Sequence, residues 1–289
     1  MSNRFDRRVR VAIAFDPEPS TKQAFTRTYR QRATIENLRV QFNVVKSASD
    51  DPNPASVIIT NLSAEHRSLF ERKPLHLTLE AGYVSGMSTL YKGDVMRAQS
   101  VRNGPDWETT VQLGSGAYLA KHARSNISLP SGAKLKDTIV LLAKDAGLKI
   151  PTNITEAKEF VEGAQTGQTL QGPSLKLFQG LVGVKGYDAS MQDDNLIVVK
   201  RGRNTLDVVA LVISQATGMV GSPELGAPED DGGPPVLSVK TLLDGAYQVG
   251  APIVVKSRGV NGNFKVQRIE YSGDTHGQAW YTMIEATPI

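Results

Sequence analysis

From Val9 to Leu113 apolar and polar positions alternate with a period of two. Val9, Val11, Ile13 and Phe15 alternate with Arg8, Arg10, Ala12 and Ala14; Leu38, Val40, Phe42 and Val44 with Arg39, Gln41 and Asn43; Leu75, Leu77 and Leu79 with His76, Thr78 and Glu80. Such alternation predicts strands with one face on a core and the other in water. A short helix is predicted only over Ser63–Arg72, opened by Asn61-Leu62-Ser63 and carrying Glu65 in its first turn. The segment Asp16–Arg32 has no clear period and contains Pro17 and Pro19, so a long loop is expected there, a candidate contact arm.

After Gly114-Ser115-Gly116 the period changes. Leu135, Ile139, Leu142 and Ala146 fall at helical spacing and Gly147 stands where a helix C-cap belongs. A second helix is predicted from about Ser174 to Val182, with Leu175, Phe178 and Leu181 on one face and an end at Gly183 or Gly186. Strand-like pieces follow at Leu148-Lys149-Ile150 and Tyr187-Asp188-Ala189, then a strand at Asn195–Lys200. Beyond the turn Arg201-Gly202-Arg203-Asn204, strands are predicted at 206–214, 236–241, 252–257, 264–271 and 280–286. Residues 221–235, dense in Pro, Gly and acid, are expected to form an exposed loop, because such a composition cannot sit in a sheet interior. The expected organisation is therefore an N-terminal β-domain (1–115), a small α/β insert domain (116–203) and a C-terminal β-domain (204–289).

The two β-domains share a local frame. The chain has two tryptophans, in Trp107-Glu108-Thr109-Thr110-Val111 and Trp280-Tyr281-Thr282-Met283-Ile284. Sixteen residues before each stands an aromatic-Lys pair, Tyr91-Lys92 or Phe264-Lys265, and three before each a glycine, Gly104 or Gly277. Without a gap, each copy reads as strand, polar turn, strand, and Trp107 and Trp280 are expected at equivalent positions in two duplicated core strands. Duplication of a β-unit in one chain points to a symmetric assembly.

Composition narrows the chemistry. A chain of 289 residues can bury two or three small cores. It has no cysteine, which removes disulfides, thiolate metal sites and Cys nucleophiles. The net charge of +4 comes from scattered Lys and Arg, weak support for nucleic-acid binding. The apolar run Val9–Phe15 is too short for a signal or membrane helix. Ser131 and Lys134 have the Ser-x-x-Lys spacing of an activated serine, but no partner motif accompanies them and Ser131 is read as a helix cap. Gly180–Gly186 lacks a P-loop ending, and Gly114-Ser115-Gly116 lacks the third glycine of a dinucleotide fingerprint. His66, His76, His122 and His276 fall in a helix, a strand, a loop and a turn without metal-ligand spacing. Asp193-Asp194 and Asp230-Asp231 lack the alternating ligands of a calcium loop. No catalytic, cofactor or metal residue is therefore assigned.

The order of parts resembles a known family. Val57-Ile58-Ile59-Thr60-Asn61-Leu62-Ser63, Leu77-Thr78-Leu79-Glu80-Ala81-Gly82-Tyr83 and Leu90-Tyr91-Lys92-Gly93-Asp94-Val95, followed by Thr217-Gly218-Met219-Val220-Gly221-Ser222-Pro223-Glu224, Gly262-Asn263-Phe264-Lys265-Val266 and Gly273-Asp274-Thr275, resemble central baseplate hub proteins of contractile-tailed bacteriophages. The resemblance covers most of the chain, and its motifs are structural. It implies a mainly β fold with an α+β insert, two similar barrel-like tube domains flanking the small α/β domain. It also implies a homotrimer whose pseudo-sixfold ring joins a hexameric tail tube, or tube-initiator protein, to a trimeric central spike. Tape measure protein and genomic DNA would pass the lumen without specific binding, through a bore lacking a dense Lys/Arg lining. The implied location is the virion tail baseplate, assembled in the host cytoplasm, with no membrane insertion, no cofactor and no enzymatic activity. Because the chain ends at Ile289 soon after the second copy, the spike is expected to be a separate polypeptide.

Two alternatives stand beside this expectation. A cell-wall-binding or peptidoglycan-hydrolysing tail protein would need facing carboxylates, and Asp137, Asp145, Glu156, Glu159 and Glu162 of the insert are the candidates. An oligonucleotide-binding barrel would need a basic-aromatic stripe, which the sequence lacks.

Overall fold

The computed structural model describes residues 6–17, 29–48, 51–72, 74–150, 154, 160, 166–202, 206–227 and 234–289. The alternating segments form strands β1 (Arg7–Pro17), β2 (Tyr29–Ile35), β3 (Val40–Ser47), β4 (Pro54–Thr60), β5 (His76–Tyr83), β6 (Gly86–Asn103) and β7 (Asp106–Gly114). One six-residue helix, α1 (Ala64–Leu69), interrupts them, with the Ser63 hydroxyl accepting the His66 N–H at its start. The C-terminal part supplies β12 (Leu211–Ser214), β13 (Met219–Gly226), β14 (Val236–Leu242), β15 (Pro252–Lys256), β16 (Asn261–Asp274) and β17 (Trp280–Pro288). All thirteen belong to one hydrogen-bonded sheet with the path β13-β14-β17-β16-β3-β4-β7-β6-β5-β1-β2, and β15 and β12 branch from β16.

Two runs of paired strands in this sheet, one of them taking the branch to β15, have the same order. β3-β4-β7-β6-β5 in the first half matches β13-β14-β17-β16-β15 in the second. Within both hairpins the ladder slips by one residue at a corresponding place, between Val95 and Arg97 in β6 and between Val266 and Arg268 in β16. The inward residues correspond as well: Val57 faces Val111, and Val239 faces Ile284. The halves differ at their outer strands, since β1 runs antiparallel to β5 whereas β12 runs parallel to β15.

Apolar burial explains why the alternation is so regular. Val11, Ile13, Val44, Val57, Leu77, Leu79, Val111, Val255, Ile269 and Ile284 are fully buried in one core that spans both halves. Each such aliphatic side chain contributes about 1.5–3 kcal/mol, so slipping a strand by one residue would forfeit several at once. A second core belongs to the insert. It packs α2 (Ala117–His122), α3 (Leu135–Ala146) and α4 (Ser174–Val184) with the hairpin β10 (Tyr187–Gln192)–β11 (Asn195–Lys200), around Ile139, Phe178, Val182 and Val198. Gly147 ends α3 in the left-handed conformation with φ 67°, and Leu148 N–H returns to the Ala143 carbonyl, as the sequence anticipates.

Several expectations are corrected. The architecture is mainly β with a helical insert, but the sheet does not close into a barrel among the described residues, because β13 and β2 end the strand path. Asp16 and Pro17 finish β1, and Tyr29–Arg32 open β2, so the expected loop is shortened from both ends; residues 18–28 lie outside the described residues. Gly221–Gly226 is not loop but part of β13, which tolerates Pro223 because it is an edge strand with a register shift between Val220 and Glu224. Asp230-Asp231 lie outside the described residues. The strand expected from Leu206 begins at Leu211, and Leu148-Lys149-Ile150 is not a strand. A polar two-stranded sheet of β8 (Arg124–Leu129) and β9 (Gln168–Pro173) was not anticipated.

Candidate assembly interface

The halves are joined where β16 meets β3. These strands pair antiparallel from Arg268↔Ser47 to Asp274↔Gln41. The long β16 serves two neighbours on one side: residues 261–265 pair with β15, and residues 268–274 pair with β3. Aromatic packing covers the joint. Phe42, opposite Gly273, meets Trp280 edge-on with centroids 5.7 Å apart, and Tyr83 approaches the same indole at 6.4 Å. Gly273 is required here, since a Cβ would collide with the Phe42 ring. The Arg7 guanidinium lies over the same indole, 5.2 Å from the ring centroid.

Asp274 fixes the end of the joint. Its carboxylate accepts Arg39 Nη2 at 2.8 Å, Gln41 Nε2 at 3.0 Å and the His276 N–H at 2.9 Å. The Arg39 hydrogen bond, aided by those from His276 and Gln41, holds this carboxyl well below the usual carboxylate range despite burial. Arg7 Nη1 meanwhile donates to the Asp274 and Gly277 carbonyls. One cluster thus ties β1, β3 and the β16–β17 turn.

A second set of contacts locks the insert onto the sheet. Asp193 and Asp194 form the two-residue turn between β10 and β11, both with positive φ, 50° and 66°. That geometry is the tight hairpin turn for which Asp is suited. Their carboxylates are taken up by the sheet: Asp193 accepts the buried Lys46 ammonium and the Lys92 N–H, and Asp194 lies 2.7 Å from His76 Nε2. Farther along, Lys265 Nζ donates to the Lys200 and Gly202 carbonyls, and burial lowers its pKa. Asn53 Nδ2 donates to the Met191 carbonyl.

The remaining sequence candidates do not converge. Ser131 lies in the turn before α3 and does not cap it; Lys134 holds the N-cap position without a side-chain cap bond, because the helix starts later than Ser131 could reach. His66 is in α1, and His122 is at the end of α2 rather than in a loop, stacked on Tyr118 at 4.0 Å. His276 stands in the β16–β17 turn with Nδ1 2.9 Å from Thr275 Oγ1. Asp137 and Asp145 are in the first and last turns of α3, whereas Glu156, Glu159 and Glu162 lie outside the described residues. A cleft of about 450 Å³ opens between β1 and the insert, lined in part by Asp94 and Asp194. Those two carboxylates are engaged by the Tyr118 N–H and His76. Among the described residues no group of three or more acidic or histidine side chains could hold a metal ion, and no helix is long and apolar enough to cross a membrane.

The paired tryptophan frames need a correction. Trp107 faces Arg102 and Trp280 faces Gly273 across their hairpins. Counted through the ladders, Thr109–Ser100 corresponds to Thr282–Tyr271, and Val95 to Val266. The second turn is longer, so Phe264 matches Gly93 rather than Tyr91, and the ungapped pairing of Tyr91-Lys92 with Phe264-Lys265 is out by two residues. The tryptophans themselves are equivalent in the ladder but not in burial. Trp280 is 5 % exposed and Trp107 is 37 % exposed, the latter covered on one side by Arg67, 4.5 Å from its ring centroid. The expectation of two core tryptophans therefore holds for one.

Comparison with known proteins agrees with this architecture. The family described as Baseplate hub gp41 matches residues 20–286, and the chain belongs to it. No curated protein matches. Among solved structures, the tail protein from Neisseria meningitidis MC58 superposes with a TM-score of 0.60 at 9% identity, covering 98% of this chain and 97% of its own. The 43 kDa tail protein of prophage MuSo2 from Shewanella oneidensis gives 0.59 at 10% identity, over 89% and 94% of the two chains. An E. coli component of the type VI secretion system, itself similar to the T4 bacteriophage tail proteins gp27 and gp5, gives 0.59 at 10% identity over 88% and 74%. At these identities the structures share the fold. The family makes the chain a structural protein of the virion tail baseplate.

Proposed function

We propose that this baseplate hub protein works as a homotrimer, a ring that adapts a hexameric tail tube to a trimeric central spike. The observation that carries the reading is the repeated strand order, β3-β4-β7-β6-β5 and β13-β14-β17-β16-β15, within one chain. A trimer can offer six near-equivalent surfaces only if each subunit carries two. The divisions 1–115 and 204–289 are then the two tube-type domains, curved into a barrel-like wall only in the assembly, and 116–203 is an outer insert that stiffens it. That a tail protein and a component of a type VI secretion system share this fold is consistent with the reading.

In this reading the work is mechanical. One face of the ring binds the tube or tube-initiator protein and the other the spike, while tape measure protein and DNA traverse the lumen without specific binding. A bore without a dense cationic lining suits passage, because clustered Lys and Arg would hold phosphates and release counterions. The protein is assembled in the host cytoplasm before it enters the baseplate. Electron microscopy of the hub with its tube and spike partners tests the reading. Averaged end views are expected to show a hollow ring with six lobes toward the tube and threefold symmetry toward the spike. Solid particles, or rings of another symmetry, would count against it.

A further inference from the structure

Within one chain, the joint uses two edges: the later half of β16, residues 268–274, and β3. Each has a counterpart elsewhere in the same chain. The counterpart of β16 268–274 is β6 97–103, which pairs with β7 on one side; among the described residues no strand pairs with it on the other. The counterpart of β3 is β13, which pairs with β14 and ends the strand path. Among the described residues, the same two kinds of edge that meet inside the chain are thus each left open once.

Exposure agrees with a missing neighbour. In the closed joint Ile269 and Tyr271 are fully buried, whereas their counterparts Ala98 and Ser100 are only partly buried. β3 alternates buried and accessible residues, but Val220 to Gly226 of β13 are exposed except at Pro223. The open edges carry unusual apolar exposure, with Val101 51 % and Leu225 51 % accessible. Trp280 is buried against Phe42 in the closed joint, and its counterpart Trp107 is half open at the equivalent place. Strand edges left unpaired in this way invite pairing with another chain.

We infer that β6 97–103 of one subunit pairs antiparallel with β13 of a second copy of the chain, head to tail, repeating between subunits the β16–β3 joint found within each. Carrying the β3–β4 and β13–β14 registers across sets the alignment. Tyr271↔Val44 becomes Ser100↔Leu225, Ser272↔Asn43 becomes Val101↔Glu224, and Asp274↔Gln41 becomes Asn103↔Val220. A head-to-tail contact leaves no edge of this type open once the ring closes.

The inference rests on the ring reading and is separable from it. Since the chain has no cysteine, single cysteines are clean probes. Opposed residues of antiparallel strands lie at Cα separations that a disulfide can span. Co-assembled S100C and L225C chains are expected to form an oxidised, disulfide-linked dimer in high yield, and the double variant S100C/L225C a covalent trimer. The offset mixture S100C with V220C is expected to link at least tenfold less. Native mass is measured on the same samples, and amide exchange on the unmodified assembly is expected to protect residues 97–103 and 219–226 relative to the dissociated chain. A trimer without preferential 100–225 linkage and without that protection overturns the edge assignment and leaves the ring reading standing. A monomer with no linkage, in the presence of tube and spike partners, overturns both.

Discussion

Thr109 and Thr282 occupy the same ladder position of their two hairpins and are both fully buried, yet their hydroxyls have different partners. Thr109 Oγ1 lies 2.9 Å from Ser100 Oγ, a partly buried group that can turn to water. Thr282 Oγ1 accepts the backbone N–H of Asp244 at 3.2 Å. Removing the acceptor strands a backbone donor only in the second case. Thr282→Val is expected to lose about 1–2 kcal/mol and Thr109→Val less than half of that. Chemical denaturation of the two variants checks the ranking; equal losses would mean that the two positions are equivalent in energy as well as geometry.

The tryptophans differ by context. In W107F the emission left is that of Trp280, enclosed by Phe42 and Tyr83, and is expected to be blue-shifted and poorly quenched by acrylamide. The W280F variant retains Trp107, and in the dissociated chain its emission is expected near that of a wet indole, with ready quenching. Trp280→Ala is expected to cost about 3–5 kcal/mol, as for other large aromatic truncations in a core. Thermal and denaturant unfolding of W280A, beside W107A as the milder change, measures this.

Asp274 makes the joint acid-sensitive. Its folded-state pKa lies below the ordinary value of about 3.9, so its contribution is fully present above about pH 5. That contribution is lost as pH falls from about 4 through the folded pKa. Asp274→Asn is expected to cost roughly 2 kcal/mol at neutral pH, the scale of hydrogen bonds to a charged group. The difference between wild type and variant is expected to be constant from pH 5 to 7 and to shrink below pH 4. A difference unchanged down to pH 2.5 would remove Asp274 as the cause.

Lys46 and Asp193 test how the insert is held. Lys46 is 6 % exposed, and its ammonium is paired with Asp193 beside the Tyr271 ring. Asp193→Asn keeps a residue that accepts positive φ but leaves a buried cation facing a neutral amide, at an expected cost of about 2–4 kcal/mol. Adding Lys46→Met is expected to recover most of that loss, since removing both charges costs less than stranding one. A double-mutant cycle with no coupling would show that the turn, not the ion pair, fastens the insert.

Much of the fold was legible because burial on one face imposes a period. β1, β3 and β5 announce themselves by alternation, β7 by its tryptophan frame, α1 by Ser63, and the end of α3 by Gly147. What escaped lacks that imprint. β8 and β9 are short and polar, with one buried position in Arg124–Leu129. β13 has glycines and a proline because an edge strand needs few inward side chains and one free row of backbone groups. The duplication was visible through the tryptophans, but its register was not. A longer turn in the second hairpin shifts its first strand by two residues, and an ungapped comparison cannot register that shift. The joint depends on pairing between Val40–Ser47 and Asn261–Asp274, far apart in the chain, which no local pattern specifies.

Native mass measurement of the assembled protein tests the central claim most directly. The account predicts a dominant species of three times the 31.3 kDa chain, formed alone or on addition of tube and spike partners. A compact monomer or a closed dimer under all of these conditions would contradict it.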